Sequence, residues 1–159
     1  MDIRAFRPED IERANRVWNE VVEAGIAFPQ LEALNRESGL EFFSAQSFTG
    51  ICEEAGEILG LYILHPNNVG RCGHICNASY AVASAARGRG VGEALVRHCL
   101  TKAGELGFGI LQFNAVVSSN VPALRLYEKL GFTRLGTIPG GFLMKDGSYQ
   151  DIIPHYKKL

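Results

Sequence analysis

Residues 87–92 have the sequence Arg-Gly-Arg-Gly-Val-Gly and lie between a predicted strand and a long predicted helix. Glycine has no side chain, so the backbone of this loop can approach a ligand closely. The N–H groups of such a loop and the positive end of the following helix together form a concavity that binds anions. Arg87 and Arg89 add positive charge at the same place. The stretch therefore predicts a binding site for a phosphate or pyrophosphate group.

Two better-known phosphate-binding motifs do not fit this loop. A dinucleotide-binding fingerprint needs a glycine or alanine three residues after Gly90, where this chain has Glu93. A P-loop needs a Gly-Lys-Ser or Gly-Lys-Thr sequence, which the chain lacks. A glycine-rich turn before a helix is also a common structural element, so the loop alone leaves a purely structural role open.

Hydrophobic periodicity, capping residues and turn residues predict strands and helices along the whole chain. Helices are predicted from Pro8 to Gly25, from Asn35 to Phe43, from Gly90 to about Gly107 and from Asn120 to Gly131. Strands are predicted at residues 3–7, 48–53, 58–64, 74–83, 110–117, 132–136 and 150–156. Because helices alternate with the later strands, we expect an α/β (α+β) fold on a mixed sheet.

The length and the charge balance limit the classes of protein that fit. A chain of 159 residues predicts one domain, at about 100–200 residues per domain, spanning residues 1–159. Sixteen Lys and Arg against 17 Asp and Glu give a net charge of -1, which does not favour nucleic acid or an anionic membrane as a partner. The first residues lack the apolar core of a signal peptide, so we expect a cytoplasmic protein.

A second motif begins 28 residues after Gly92 and covers residues 120–132, Asn-Val-Pro-Ala-Leu-Arg-Leu-Tyr-Glu-Lys-Leu-Gly-Phe. Asparagine is a preferred first cap of a helix, and glycine commonly ends one. With the strand that leads into residues 87–92, this motif resembles the paired signatures of the GNAT (GCN5-related N-acetyltransferase) superfamily in order and spacing. The chain departs from the pattern at Ser84, where many members carry proline. The resemblance implies a single N-acetyltransferase domain whose central parallel strands, residues 74–83 and 110–117, splay apart.

The resemblance also implies acetyl-CoA as the co-substrate. In this superfamily the pantetheine arm lies between the splayed strands, and the pyrophosphate lies on the glycine loop. Carried over to this sequence, the implied cofactor-binding residues are Val82, Arg87, Gly88, Arg89, Gly90, Val91, Gly92 and Asn120.

Tyr127 and Asn120 are the implied catalytic residues. The resemblance implies that Tyr127 faces the thioester sulfur, and a phenol with a pKa of about 10 stays protonated and can donate to a departing thiolate. Asn120 would orient the acyl carbonyl or stabilise its oxyanion. Without the motif, Tyr127 would be an ordinary interior tyrosine. Residues 74–83 contain no carboxylate, so no general base is assigned.

Asn77 and Asn114 lie in predicted strands, where asparagine is disfavoured. Each has a structural explanation as an amide bonded to neighbouring backbone. Their surroundings, residues 71–78 (Arg-Cys-Gly-His-Ile-Cys-Asn-Ala) and Phe113-Asn114, resemble the L-azetidine-2-carboxylate (proline-analogue) N-acetyltransferases, which carry tryptophan where Tyr127 stands here. In that branch the matching asparagines hold the acceptor's carboxylate. The resemblance implies a small-molecule amine acceptor, an amino acid or a proline-like analogue.

Other interpretations stay open at this point. The acceptor could be a phosphinothricin-type amine, an antibiotic or a protein N-terminus, and the chain could be a non-catalytic acyl-CoA-binding sensor.

Cys72, His74 and Cys76 alternate along a predicted strand, but no fourth zinc ligand has a recognisable spacing, so we expect no metal and buried thiols. In this fold, residues 28–30 and 139–142 would flank the acceptor entrance. Family members are commonly dimers, which makes a homodimer a further expectation.

Overall fold

Eight strands form one mixed sheet in the computed structural model, which describes residues 1–159. The strands are β1 (Asp2–Ala5), β2 (Phe48–Glu54), β3 (Glu57–Pro66), β4 (Ile75–Val82), β5 (Ile110–Val117), β6 (Thr133–Arg134), β7 (Ile138–Leu143) and β8 (Tyr149–Lys158). Their order across the sheet is β1-β2-β3-β4-β5-β8-β6, and β7 also pairs with β8. Only β4 and β5 pair in parallel, so the expected mixed, mostly antiparallel sheet is confirmed.

Four helices pack on the sheet: α1 (Ile11–Ala24), α2 (Arg36–Ser44), α3 (Val91–Glu105) and α4 (Val121–Lys129). Their ends follow the predicted capping residues. Gly25 takes a left-handed conformation after α1, with a φ of 63°, and the Asn35 side chain accepts a hydrogen bond from the Ser38 N–H at the start of α2. None of the helices combines the length and the apolarity that crossing a lipid bilayer requires.

The sheet separates two hydrophobic cores. On one face, Leu61 and Ile63 of β3 pack with residues of α1 and α2, including Trp18. On the other face, Tyr62 and Leu64 pack with residues of α3 and α4. Successive side chains of a strand point to opposite faces, so β3 is buried on both sides. Each core therefore holds one pair of helices against the central strands.

The two central parallel strands diverge almost immediately. They pair at only two positions, Ile75 with Ile110 and Cys76 with Leu111. Beyond these positions β4 remains paired with β3, and β5 remains paired with β8. The edges of β4 and β5 that face each other are therefore unpaired, as the expected splay requires.

The structure adds one strand that the sequence did not predict. Residues 138–143 form β7, which pairs with β8 through Ile138, Phe142 and Leu143. The sequence does not indicate this strand because it contains Pro139-Gly140-Gly141, and proline and glycine are unfavourable inside strands. The pairing is irregular between Ile138 and Phe142, which is how the sheet accommodates these residues.

The Asp10 carboxylate connects β1, the start of α1 and β2. It accepts two hydrogen bonds from the Arg4 guanidinium at 2.8 and 2.9 Å, one from the Arg7 N–H at 2.8 Å and one from Arg13 at 3.0 Å. Arg4 also donates to Glu53 of β2 at 2.8 Å. Burial by itself raises the pKa of Asp10, but the hydrogen bonds and positive charges of these partners outweigh it and lower the pKa.

We expect Asp10→Asn to lower the free energy of unfolding by roughly 3 kcal/mol at neutral pH, because Arg4 loses its bidentate partner. The lowered pKa means that charged Asp10 stabilises the folded state above its unfolded pKa of about 3.9, and that this contribution is lost as the pH falls below that value. Urea denaturation at neutral and acidic pH measures both effects. Glu12→Gln, which removes an exposed partner of Arg36, is the matched control and should change little. Equal losses in the two variants would contradict the prediction.

Candidate active site

A cleft of about 180 Å³ opens where β4 and β5 diverge. It is lined by residues 77–80 of β4, residues 113–117 of β5, residues 27–29 of the loop after α1, and Asn120, Ala123 and Tyr127 at α4. The cleft therefore brings together the four side chains that the sequence predicted for catalysis and acceptor binding: Asn77, Asn114, Asn120 and Tyr127.

Asn77 lies where β4 and β5 diverge, one residue after Cys76, which is the last residue of β4 that pairs with β5. Its Nδ2 donates a hydrogen bond to the backbone oxygen of Gln112 on β5, at 2.9 Å. The side chain thus takes the place of the next inter-strand backbone bond. One N–H of Nδ2 and the carboxamide oxygen remain uncommitted, so Asn77 has both a structural role and capacity to bind a ligand.

Asn114 lies across the cleft on β5, and its amide is held by two other amides. Its Oδ1 accepts from Asn67 Nδ2 at 3.2 Å and from Gln112 Nε2 at 3.0 Å, and its Nδ2 donates to Asn67 Oδ1 at 2.7 Å. Asn67 lies in the loop after β3 and was not identified from the sequence. The only local signal was the Asn67-Asn68 pair after Pro66, which is typical of any turn.

Asn120 caps α4 as predicted. Its Oδ1 accepts a hydrogen bond from the Ala123 N–H at 3.4 Å, and a proline lies in the first turn of the helix, where its missing N–H costs nothing. Because the cap uses only the oxygen, the Asn120 NH₂ group is free to donate into the cleft that this half-buried residue lines.

Tyr127 is held by an aromatic cluster. Its ring centroid lies 4.4 Å from that of Phe113, 5.5 Å from that of Phe132 and 5.7 Å from that of His155. Burial, with a smaller effect from the neighbouring Cys99 thiol, raises the pKa of Tyr127 well above the usual value for tyrosine. The phenol is therefore protonated throughout the physiological pH range and acts as a hydrogen-bond donor.

The glycine loop has the backbone conformation that its sequence predicts. Gly88 and Gly90 have φ values of 76° and 79°, and a Cβ at either position would meet nothing within 4 Å. Conformation rather than lack of space therefore requires glycine. Gly90 is the N-cap of α3, so the loop leads directly into the positive end of that helix. Val82 ends β4 just before the loop, paired with Gly60 of β3.

The arginines of the loop differ in their surroundings. Arg87 is exposed, whereas the Arg89 guanidinium forms an ion pair with Glu54 at the β2–β3 turn. Arg89 also lines a second cleft, of about 330 Å³, together with Arg13 and Arg16 of α1. The side chain of Arg89 is thus engaged outside the loop, a contact that local sequence could not predict because Glu54 lies 35 residues away.

Two aromatic residues of the cleft were not predicted as site residues. Tyr80 and Phe113 lie across from each other, with ring centroids 5.8 Å apart in an edge-on arrangement. The Tyr80 hydroxyl is buried near the Cys99 thiol, and burial, with a smaller effect from Cys99, raises the pKa of Tyr80 far above its usual value. Their place in strands next to Asn77 and Asn114 was the available signal, but strand aromatics are most often core residues.

The predicted acceptor entrance is only half present. Phe28 and Pro29 line the cleft, and the Phe28 ring packs at 4.4 Å from that of Trp18. Residues 139–142 do not line it, because they form β7, where Phe142 is buried.

The sequence predicted that Cys72, His74 and Cys76 share one face of a strand, but only Cys76 lies in β4. Cys72 lies in a short 3-10 turn and His74 precedes the strand, and both are exposed. Cys76 is buried and its thiol donates to the Ile110 oxygen at 3.3 Å. Nowhere in the chain do three or more metal-ligating side chains converge. Cys52, Cys76 and Cys99 are buried thiols, as expected, whereas the expectation of a buried thiol is wrong for Cys72, which lies in the exposed turn before β4.

Comparisons with known proteins agree with this geometry. Residues 14–132 match the acetyltransferase (GNAT) family. The structure of a GCN5-related N-acetyltransferase from Kribbella flavida has a TM-score of 0.91 and 33% identity, covering 99% of this chain and 97% of that one. The structure of yncA from Salmonella typhimurium with its cofactor acetyl-CoA has a TM-score of 0.93 and 21% identity, covering 100% and 94%.

Among curated proteins, the N-acetyltransferase aca1 of Schizosaccharomyces pombe is 41% identical over 81 residues. The matched region is 51% of this chain and 39% of that relative, so the chain spans well under half of its length.

Proposed function

Because this chain belongs to the acetyltransferase (GNAT) family, we propose that it transfers the acetyl group of acetyl-CoA to the amine of a small molecule, an amino acid or a proline-like analogue. One observation carries the proposal: Asn77, Asn114, Asn120 and Tyr127, which come from three different elements, line a single cleft. A cleft that combines amide donors with a protonated phenol suits an acceptor carboxylate and a departing thiolate.

The chain has a fitting place for acetyl-CoA. The left-handed Gly88 and Gly90 leave the loop backbone open to a pyrophosphate at the positive end of α3. Arg87 can add its side-chain charge, whereas Arg89, Val91 and Gly92 would contribute mainly through backbone N–H groups. The unpaired edge of β4, up to Val82, can hydrogen-bond the amides of a pantetheine arm.

When bound, acetyl-CoA supplies an acetyl thioester to the neutral amine of the acceptor. As the new N–C bond forms, the free NH₂ of Asn120 can donate to the developing oxyanion. As the C–S bond breaks, Tyr127 donates a hydrogen bond to the sulfur, which carries the electron pair away. The amine reacts in its neutral form and releases its proton to solvent, because no general base is assigned to the cleft. A peptide α-amine with a pKa of about 8 is about one-tenth neutral at pH 7, and the more basic amine of a free amino acid is neutral to a smaller extent.

Tyr127→Phe is expected to lower kcat by roughly 10²–10⁴-fold, because the variant keeps the ring packing and loses only the donor to the leaving sulfur. Steady-state release of free thiol from acetyl-CoA measures this. Tyr149→Phe, at an exposed tyrosine, is the matched control and should retain wild-type turnover. An unchanged single-turnover rate in Tyr127→Phe would contradict the role of Tyr127 as the donor to the leaving sulfur.

An acceptor panel tests the proposed function directly. Thiol release should be seen with azetidine-2-carboxylate, proline or hydroxyproline, or with a common amino acid, because each has an amine next to a carboxylate. Phosphinothricin, polyamines and short peptides complete the panel. Turnover only with amines that lack the α-carboxylate would discard the acceptor class. Binding of acetyl-CoA without thiol release for any acceptor would favour the acyl-CoA-binding sensor.

We expect Asn77→Ala and Asn114→Ala to raise the KM for a carboxylate acceptor by roughly ten- to a hundredfold, the effect of losing a hydrogen bond to a charged group. The affinity for acetyl-CoA, measured by calorimetry, should stay close to the wild-type value. Asn68→Ala, in an exposed residue of the nearby loop, is the control. Equal losses of acetyl-CoA affinity in both cleft variants would mean that the two asparagines are only structural.

Three further expectations stay predictions from the sequence. These are the cytoplasmic location, the homodimer, and the absence of nucleic acid and membrane from the partners of this chain.

A further inference from the structure

Four side-chain amides lie at or beside the cleft: Asn77 and Asn114 line it, and Asn67 and Gln112 hydrogen-bond to the Asn114 amide. We call them the amide cluster. They come from β4, from β5 and from the loop after β3, and Asn67 and Asn114 are 47 residues apart. All four are at least partly open to solvent. The cluster contains no charged side chain, so its selectivity depends on which hydrogen-bonding atoms remain uncommitted.

Asn114 is the most heavily committed member. A carboxamide oxygen accepts two hydrogen bonds, and the Asn114 oxygen already receives one from Asn67 and one from Gln112, at 3.2 and 3.0 Å. Its NH₂ group uses one N–H on the Asn67 oxygen, at 2.7 Å, and keeps one. A ligand that reaches the Asn114 side chain therefore meets an N–H donor and no available side-chain acceptor.

Asn67 is positioned to fix the orientation of the Asn114 amide. Its backbone N–H donates to the Ile75 oxygen at 2.8 Å, which fixes the loop against the first residue of β4. Its side chain bonds both ends of the Asn114 amide, as donor and as acceptor. The pair is a closed ring of two hydrogen bonds, which restricts rotation of both amide planes.

We propose that Asn67 is a positioning residue that holds Asn114 with its N–H toward the cleft, and that this makes the site select acceptors with a free carboxylate over their esters. This inference rests on the proposed function, because it concerns the acceptor that Asn114 would hold. A carboxylate offers only acceptor atoms and complements the remaining N–H groups of the cluster. An ester oxygen is uncharged and accepts a weaker hydrogen bond.

The test compares azetidine-2-carboxylate with its methyl ester as acceptors. The measured quantity is the ratio of kcat/KM for the acid to kcat/KM for the ester. We expect Asn67→Ala to lower this ratio roughly tenfold, mainly through the KM for the acid, since a charged hydrogen bond is no longer aligned. The backbone bond to Ile75 survives in Asn67→Ala, so the melting temperature and acetyl-CoA affinity should stay unchanged.

A charge variant separates positioning from a general structural effect. Asn67→Asp can still accept the Asn114 N–H but cannot donate to its oxygen, and it places a negative charge beside the acceptor carboxylate. The acid-to-ester ratio should therefore fall further than in Asn67→Ala. Asn68→Asp adds the same charge one residue away and keeps the acceptor for the Val69 N–H, so it is the matched control. Equal ratios in the two Asp variants would overturn the proposal.

The Asn114→Ala variant distinguishes failure of this inference from failure of the proposed function. If Asn114→Ala lowers the acid-to-ester ratio and Asn67→Ala does not, Asn114 holds the carboxylate without help from Asn67, and the inference is wrong. If the wild-type protein does not acetylate azetidine-2-carboxylate, the same comparison uses the panel amino acid that it does acetylate and the methyl ester of that acid. If Asn114→Ala leaves the ratio unchanged, or if the wild-type protein acetylates no amine with an α-carboxylate, the proposed acceptor site is wrong and the inference fails with it.

Discussion

The early separation of β4 from β5 is the constraint on which the rest of the site depends. Two parallel strands that share a sheet normally continue their ladder, since unpaired backbone groups are costly when buried. Here the ladder stops after two pairs. Asn77 uses its side chain to bond the Gln112 oxygen where the next backbone bond would lie. Further along β5, where it no longer pairs with β4, the register with β8 shifts between Phe113 and Val116, an irregularity of the kind that bends a strand.

Packing on both sides of the sheet keeps this opening in place. Tyr127 of α4 lies against Phe113 at 4.4 Å, and Phe113 stacks on Phe132 at 4.8 Å, so an aromatic cluster lies where β5 turns away. On the opposite face, Phe28 packs on Trp18 of α1 while it lines the cleft. The side chains around the opening are therefore held by rigid elements, which is the condition for a preorganised site.

The electrostatics of the site favour direct transfer between two bound substrates. Burial raises the pKa of the Cys76 thiol to about 11 and that of the Cys99 thiol to about 12, so both are protonated at neutral pH. Neither lines the cleft, and an acetyl-cysteine intermediate has no candidate nucleophile there. The cleft instead presents neutral amides and buried phenols. Such groups suit the proposed acceptor carboxylate through directed hydrogen bonds rather than through an opposing charge.

The sequence by itself determined the order of the elements apart from β7, the helix ends at Gly25, Asn35 and Asn120, and the paired motifs that indicate the family. Those signals are local, because caps and glycine conformations depend on dihedral angles and hydrogen bonds within a few residues. Only the tertiary structure decided that Asn114 bonds Asn67, 47 residues away, and that Arg89 pairs with Glu54, 35 residues away. It also decided that a Pro-Gly-Gly segment forms β7. These two contacts and the pairing of β7 all depend on which strands become neighbours. The choice of neighbouring strands is set by the burial of two whole cores rather than by any local preference.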